Sequence, residues 1–281
     1  MSRRIALVTG ASSGIGMLTA TCLAKEGFFV LATMRKISRA KNLLDCSKKY
    51  KVENDIRCPE LDVTKEASIE SLKRELSSYN QLDILVNNAG IAVGGFSEEL
   101  TINDYKKQFD TNFFGVIAVT NTVLPLMRER GQGKIINISS ISGKFGFPAL
   151  SPYTASKHAL EGYSESLRLE LKPFGIDVVL IEPGSFSTNI WTTGNHTVSS
   201  PKGSPYFFYM KKIEEELRKG MASHEDPLKV AQLIAKISLT KNPKLRYKIG
   251  KGVKTAIFLK KVLPWTYFEK MVIKKLFRII S

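Results

Sequence analysis

Cysteine is scarce. Cys22, Cys46 and Cys58 are three in 281 residues, an odd number without metal-ligand spacing. That excludes a disulfide framework and points to reduced thiols in a cytoplasmic protein. There is no internal repeat and no low-complexity tract, so the chain reads as neither a repeat array nor a disordered linker. Long apolar runs are missing too: the uncharged stretch Thr111 to Met127 carries three Thr, two Asn and Pro125, too short and too polar to span a bilayer. Met1 leads through two arginines straight into IALVTG, which leaves no room for a signal peptide ahead of folded structure. Acid is lacking at one end only. Residues 241–281 hold twelve Lys or Arg against the single acid Glu269, so this segment carries +11 of the net +16. The remaining 240 residues are close to balanced. The chain is therefore a near-neutral globular domain with a basic end, and with no recognition module in it a nucleic-acid partner is not expected.

What is present is a repeated βα pattern. Arg4 to Thr9 reads as a short buried strand, followed by the glycine-rich turn TGASSGIG (Thr9–Gly16) and a helix to about Glu26. In such a turn Gly10 permits the tight bend, Gly14 lets a phosphate approach the backbone and Gly16 allows close helix packing. The helix N-terminus then offers free N–H groups to a pyrophosphate. A second strand, Phe28 to Thr33, ends without the carboxylate that would hold a ribose 2′-hydroxyl; Arg35 and Lys36 follow instead. A guanidinium there suits a 2′-phosphate, which favours NADP(H) over NAD(H).

Further strands are expected at Ile56–Asp62, Leu82–Val86, Gly133–Ser139, Ile176–Ile181 and Leu245–Ile249. Helices are expected at Lys65–Tyr79, across Asn103–Met127 with Pro125 interrupting the last turn, at Thr154–Lys172, at Ser204–Met221 and from Asp226-Pro227 to about Leu239. Gly252 to Ile280 reads as a basic, apolar helical stretch punctuated by Pro264. Apolar strands alternating with helices predict an α/β, doubly wound (Rossmann) parallel sheet with helices on both faces. The chain is expected to form a single domain: a dinucleotide-binding part over residues 1–250, in which the irregular stretch and helix at about 185–221 would form a lid over the ligand, and a basic amphipathic extension at 251–281.

Tyr153 and Lys157 are four residues apart, so on a helix they share a face one turn apart. An ammonium beside a phenol favours phenolate, lowers its pKa and makes it a usable general acid/base. His158, the helix neighbour of Lys157, points away from that face and is assigned no role.

In order along the chain stand TGASSGIG, Asp62-Val63, NNAG (Asn87–Gly90), Asn112 in NFFG, Ser140, Tyr153-x-x-x-Lys157 and PGSFST (Pro183–Thr188). Ser140 lies thirteen residues before Tyr153. Over about residues 3–190 the chain resembles the single-domain branch of the short-chain dehydrogenase/reductase family. ATMR (Ala32–Arg35) and the basic extension add a weaker resemblance to 17β-hydroxysteroid and retinol dehydrogenases. The resemblance implies a catalytic set of Asn112, Ser140, Tyr153 and Lys157. Tyr153 would give its proton to a substrate carbonyl and Ser140 would hydrogen-bond that oxygen, so these two also bind substrate. Lys157 would hold the cofactor ribose, and Asn112 a water leading from Lys157 to solvent. Cofactor contacts would come from Gly10, Ser12, Ser13, Gly14, Ile15, Arg35, Asp62, Val63, Asn88, Ala89, Gly90, Tyr153, Lys157, Pro183, Gly184 and Thr188. A homodimer or homotetramer built through the Asn103–Met127 and Thr154–Lys172 helices is also implied, as is the alternative of a non-catalytic NADP sensor on the same fold.

Two questions stay open at this level. Phe186, Ile190, Trp191, Tyr206 to Met210, Phe145, Phe147, Pro148 and Leu150 either line a pocket for a lipophilic carbonyl or alcohol, or simply pack the lid on the core. The basic end either rests on an anionic membrane surface, giving a cytoplasmic, membrane-associated protein, or packs on the lid with its lysines in water.

Overall fold

The structure is a computed structural model that describes residues 3–187, 190, 200–221 and 224–277. Short, unbroken runs of β-branched and aliphatic residues form the strands, as expected where a sheet is covered on both faces. These are β1 (Ile5–Val8), β2 (Phe29–Ala32), β3 (Ile56–Arg57), β4 (Ile84–Asn87), β5 (Gly133–Ile138), β6 (Ile176–Pro183) and β7 (Arg246–Ile249). Among the described residues they build one seven-stranded sheet in the order β3-β2-β1-β4-β5-β6-β7. Every pairing is parallel, with Leu7 opposite Leu31 on one side and Leu85 on the other. The expected doubly wound parallel sheet is what the chain forms.

The helices are α1 (Gly14–Lys25), α2 (Lys41–Lys49), α3 (Glu66–Leu76), α4 (Ile102–Phe109), α5 (Gly115–Glu129), α6 (Ser151–Leu171), α7 (Phe207–Met221), α8 (Leu228–Leu239), α9 (Val253–Val262) and α10 (Trp265–Phe277). Successive strand residues point to opposite faces, and the two cores divide accordingly. Ala6 and Val8 join Leu23 of α1 and Ile234 of α8 in one core. Ile5 and Leu7 join Leu72 of α3, Val123 of α5 and Leu167 of α6 in the other. Asp226 starts α8 by accepting the Leu228 N–H at 2.8 Å. No helix among the described residues is long and apolar enough to cross a membrane.

Four local expectations change. The third strand stops at Arg57, because Pro59 has no N–H to give the ladder; pairing resumes only as a bridge between Met34 and Glu60. Helix α2 was not foreseen: its sequence, KNLLDCSKK, buries little beyond Leu43 and Ser47, too thin an apolar stripe to read. The expected break at Pro125 does not occur, and α5 runs on to Glu129. Val123 and Met127 are fully buried on either side of the proline, and that packing carries the helix across the lost hydrogen bond. Finally, the long helical stretch around Asn112 is two helices, α4 and α5, joined by a π turn at Asp110–Phe114. In the C-terminal extension, Leu263 adopts the extended conformation (φ −87°, ψ 135°) that a following proline imposes, and so separates α9 from α10.

Candidate active site

All strands being parallel, their carboxyl ends share one edge of the sheet, where an open α/β fold places its ligand. The glycine turn lies at the end of β1. Gly10 has φ +68° and Gly14 φ +55°, both in the left-handed region that disfavours side chains. A Cβ on Gly10 would stand 2.8 Å from Ala89 Cα, and one on Gly16 would stand 2.4 Å from Asn88 Nδ2. The turn is therefore pressed against the NNAG segment after β4. Asn88 Nδ2 donates to the Thr9 and Gly10 carbonyls at 2.9 and 3.1 Å. The Thr9 hydroxyl accepts the backbone N–H groups of Asn88 and Ala89 at 3.0 and 2.9 Å. Thr9 was not singled out beforehand; its place at the head of the glycine motif was the available signal.

Ser13 precedes α1 without capping it, and the first turn contains no acid. Ser12, Ser13, Gly14 and Ile15 are partly exposed there. Unpaired N–H groups at the positive end of a twelve-residue helix form a cradle for phosphate, so the residues present fit a dinucleotide. Arg35, just past β2, is exposed and has no hydrogen-bond or ion-pair partner among the described residues. Asp62 is folded into its own turn, its Oδ1 accepting from the Thr64 N–H and hydroxyl at 3.1 and 2.8 Å. Val63 is buried, and a Cβ on Gly115 would meet its Cγ2 at 2.7 Å. Gly90 lies beside Asn112. Pro183 ends β6, and the Gly184 N–H donates to the Ile249 carbonyl at 2.9 Å. Thr188 and Trp191 lie outside the described residues.

The catalytic candidates converge at the ends of β5 and the start of α6. The buried stripe of α6 contains Tyr153, Ser156, Lys157, Leu160, Glu161, Ser164 and Leu167; the helical period that buries leucines also buries a phenol, an ammonium and a carboxylate. The Ser140 side chain lies beside the Tyr153 phenol and favours its ionised form, and Ser140 Oγ accepts the Ser142 N–H at 3.1 Å. Lys157 Nζ stands 5.7 Å from the Tyr153 ring centroid and donates to the Ile138 carbonyl at 2.7 Å. Asn112, inside the π turn, is fully engaged. Its Oδ1 accepts the Ile91 N–H at 2.9 Å, and its Nδ2 donates to the Ile91 carbonyl at 3.0 Å and reaches Ser156 Oγ at 3.5 Å. His158 is exposed with Nδ1 2.9 Å from the Thr154 carbonyl, away from this group.

Burial sets the titration here. It pushes the Tyr153 phenol up, with Ser140 opposing it. It pushes Lys157 down to about 8, with Glu161 pulling the other way. The expected lowering of Tyr153 by its lysine neighbour is not what this structure gives: loss of water around the phenol raises it.

Behind the pair lies a charge cluster that local spacing does not reveal. Ser139 Oγ donates to Glu161 Oε1 at 2.6 Å, Lys144 Nζ reaches Glu161 Oε2 at 2.6 Å, and Arg246 Nε, from β7, reaches the same oxygen at 3.1 Å. Arg246 also pairs with Glu165 and stands 3.1 Å from Glu182 Oε1. Glu182 is 0% exposed, and among the described residues neither of its oxygens accepts a hydrogen bond. Burial pushes it above the usual glutamate range and Glu161 adds to this, against Lys144, Arg246 and Lys248.

The apolar residues expected to line a pocket divide. Phe186 and Met210 are buried in packing clusters, Met210 with Ala149 and Ile213. Phe145 is buried against Val253 and Ile257 of α9. These three pack rather than line a pocket. Tyr206 stacks on Phe96 at 4.4 Å between ring centroids, while Phe207, Phe208 and Tyr209 line a surface cavity of about 480 Å³ together with Lys211 and Lys212.

Comparison with known proteins agrees with this geometry. The chain is 50% identical over 280 residues to the uncharacterized oxidoreductase YusZ of Bacillus subtilis, covering 99% of this chain and 100% of that one. It is 40% identical over 257 residues to the 3-ketodihydrosphingosine reductase of Bacteroides thetaiotaomicron, 89% of each chain. It is 32% identical over 273 residues to bovine retinol dehydrogenase 8, 93% of this chain and 86% of the other. A short-chain dehydrogenase from Streptomyces avermitilis superposes with TM-score 0.80 at 33% identity, covering 100% and 99% of the two chains. An actinorhodin polyketide ketoreductase variant solved with NADPH gives 0.74 at 30% identity, covering 89% and 97%. A Burkholderia phymatum protein solved with NAD gives 0.80 at 22%, covering 96% and 95%, a likeness of fold alone. The short chain dehydrogenase profile matches residues 4–199, a span that takes in the glycine turn, NNAG and the Ser140–Tyr153–Lys157 group, and the chain is accordingly an oxidoreductase of the short-chain dehydrogenase/reductase family.

Proposed function

We propose that this protein is an NADP(H)-dependent oxidoreductase that interconverts a carbonyl and an alcohol on a lipophilic substrate. The observation that carries the reading is the joint burial of Ser140, Tyr153 and Lys157, with the Lys157 ammonium 5.7 Å from the centre of the Tyr153 ring. The nicotinamide would supply the hydride. Ser140 and Tyr153 present two hydroxyls to one point, suited to a substrate carbonyl oxygen. Tyr153, protonated because it is buried, gives that oxygen its proton while Ser140 steadies the developing negative charge. Lys157, held by the Ile138 carbonyl, would pair with the ribose hydroxyls of the cofactor. The uncapped N-terminus of α1 would take the pyrophosphate and Arg35 a 2′-phosphate. Asn112, tied to Ile91 and reaching Ser156, holds α6 against the loop that follows β4.

The lipophilic substrate class is supported by the exposed aromatic surface of α7, by the sphingoid ketone named for the Bacteroides relative and by the retinol named for the bovine one. Steroid-, retinoid- and fatty-carbonyl-like compounds are the class proposed. A homo-oligomer through α5 and α6 is proposed on the exposed Phe114 and Leu169, which neighbour those helices' outer faces. The test is oxidation of NADPH and NADH across carbonyls from small ketones to 3-ketosphingoid bases, retinal and ketosteroids. NADPH-selective turnover of the bulky compounds is expected. Tight NADPH binding without turnover of any of them would put the non-catalytic sensor in its place, and a preference for NADH would remove the role given to Arg35.

A further inference from the structure

The C-terminal helices answer the question of the basic end in an unexpected way: they pack on the site and present a second face to solvent. Val253 and Ile257 of α9 are buried on Phe145, and Phe268 of α10 lies 5.3 Å from the same ring. Lys260 donates to the Lys144 carbonyl and stands over the Phe145 ring. The inner faces therefore cover the Ile141–Phe147 segment, which connects Ser140 to Tyr153, and α10 also packs against α7.

The outer faces are apolar where water would be expected to select polar residues. Phe258 is 62% exposed and Tyr267 64%, with Val262 and Met271 exposed beside them; Trp265, 57% exposed at the start of α10, turns instead toward Phe268, 5.5 Å away between ring centroids. Cations share these same faces. Lys254, Phe258 and Lys261 follow one another at helical spacing along α9, and Tyr267, Lys270, Met271 and Lys274 do so along α10. Aromatic and aliphatic side chains interleaved with lysine on one surface match the boundary between acyl chains and anionic headgroups. A second copy of the chain is a poor occupant, since residues 241–281 contain one acid against twelve cations and two such faces repel.

We propose that α9 and α10 dock this protein on an anionic lipid surface, with Phe258, Tyr267 and Met271 entering the headgroup layer and the lysines of the same faces pairing with lipid phosphates. Docking holds the lid helix α7 and the segment leading to Tyr153 next to the bilayer. A lipophilic substrate then passes from membrane to site without crossing water. Docking is read without turnover, so it can fail while the catalytic reading stands, or the reverse.

The experiment uses the full chain and phosphatidylcholine vesicles prepared with and without phosphatidylglycerol. Co-sedimentation is expected with the anionic vesicles only, weakened by salt. Phe258→Glu combined with Tyr267→Glu should lower the bound fraction at least about 10-fold, and Lys254→Gln with Lys261→Gln and Lys270→Gln should weaken binding less. Unchanged NADPH binding verifies that each variant is folded. No binding to anionic vesicles at low salt, equal binding to neutral ones, or a solution dimer that shields Tyr267 would each overturn the proposal.

Discussion

Two regions of one sheet edge solve the problem of handling charge in opposite ways. At the ends of β1 and β4, the chain relies on backbone: glycines at positive φ, free N–H groups at the start of α1, and neutral Thr9 and Asn88 lacing the turn to NNAG. Among the described residues no ionisable side chain is buried there. At the ends of β5, β6 and β7, the chain buries Lys157, Glu161 and Glu182 and brings in Lys144 and Arg246 to hold them. On the proposed function, the difference follows from what each end would have to do. Binding an anion needs oriented dipoles, which stay fixed at any pH. Moving a proton needs groups whose pKa values are displaced from their solution values, and displacement requires burial.

That contrast can be broken at either end. The largest effect is expected from Tyr153→Phe, which removes the transferable proton while keeping the ring. Turnover should fall by about 10³-fold or more with NADPH binding, followed by nicotinamide fluorescence, left intact. If activity survives, the catalytic end has been misidentified. Arg35→Ser tests the binding end. A charge-assisted hydrogen bond to phosphate contributes about 1.5–3 kcal/mol, so KM for NADPH should rise by about 10- to 100-fold while KM for NADH stays level.

Gly16→Ala tests whether the turn is as tight as drawn. The new Cβ would meet Asn88 Nδ2 at 2.4 Å and the Gly10 carbonyl oxygen at 2.5 Å, and backbone cannot yield cheaply. A destabilisation of about 1–3 kcal/mol is expected from denaturant titration, together with weaker cofactor binding. The smallest effect is Glu161→Gln. With Lys157 at about 8 in the native protein, its ammonium fraction falls as pH rises through that value, so reductase kcat/KM should decline on the alkaline side. The Glu161 charge raises Lys157, so its removal should move that limb to lower pH while leaving the maximum largely intact. A limb that does not move would mean that Glu161 serves packing alone.

How much of this was legible beforehand depends on the range of the interaction. The glycine turn, the Tyr153–Lys157 spacing and the apolar strands are local patterns, each written within a few consecutive residues, and the sheet and the site followed from them. The Glu161–Arg246 pair spans 85 positions, and no spacing rule links a helix glutamate to an arginine on an edge strand. The π turn around Asn112 is equally silent, because DTNFF has no residue that demands an extra backbone atom set in the helix. Pro125 misled for the opposite reason: a strong local preference lost to the burial of Val123 and Met127. Tyr153 misled in direction because its neighbour is visible in the sequence and its desolvation is not.

One feature of the sheet bears on how the protein is made. Strand β1 sits between β2 and β4, and its β4 partner is synthesised some 75 residues after it. While residues 9 to 83 emerge from the ribosome, β1 can pair only with β2, and its other edge of N–H and carbonyl groups stays open. The same interval separates Thr9 from the Asn88 and Ala89 amides that it will hold. The glycine turn is therefore translated early but takes its final shape late, when β4 closes the sheet centre. Substitutions such as those at Gly10 or Gly16 should then reduce yield of folded protein during synthesis more than they reduce the lifetime of protein already folded.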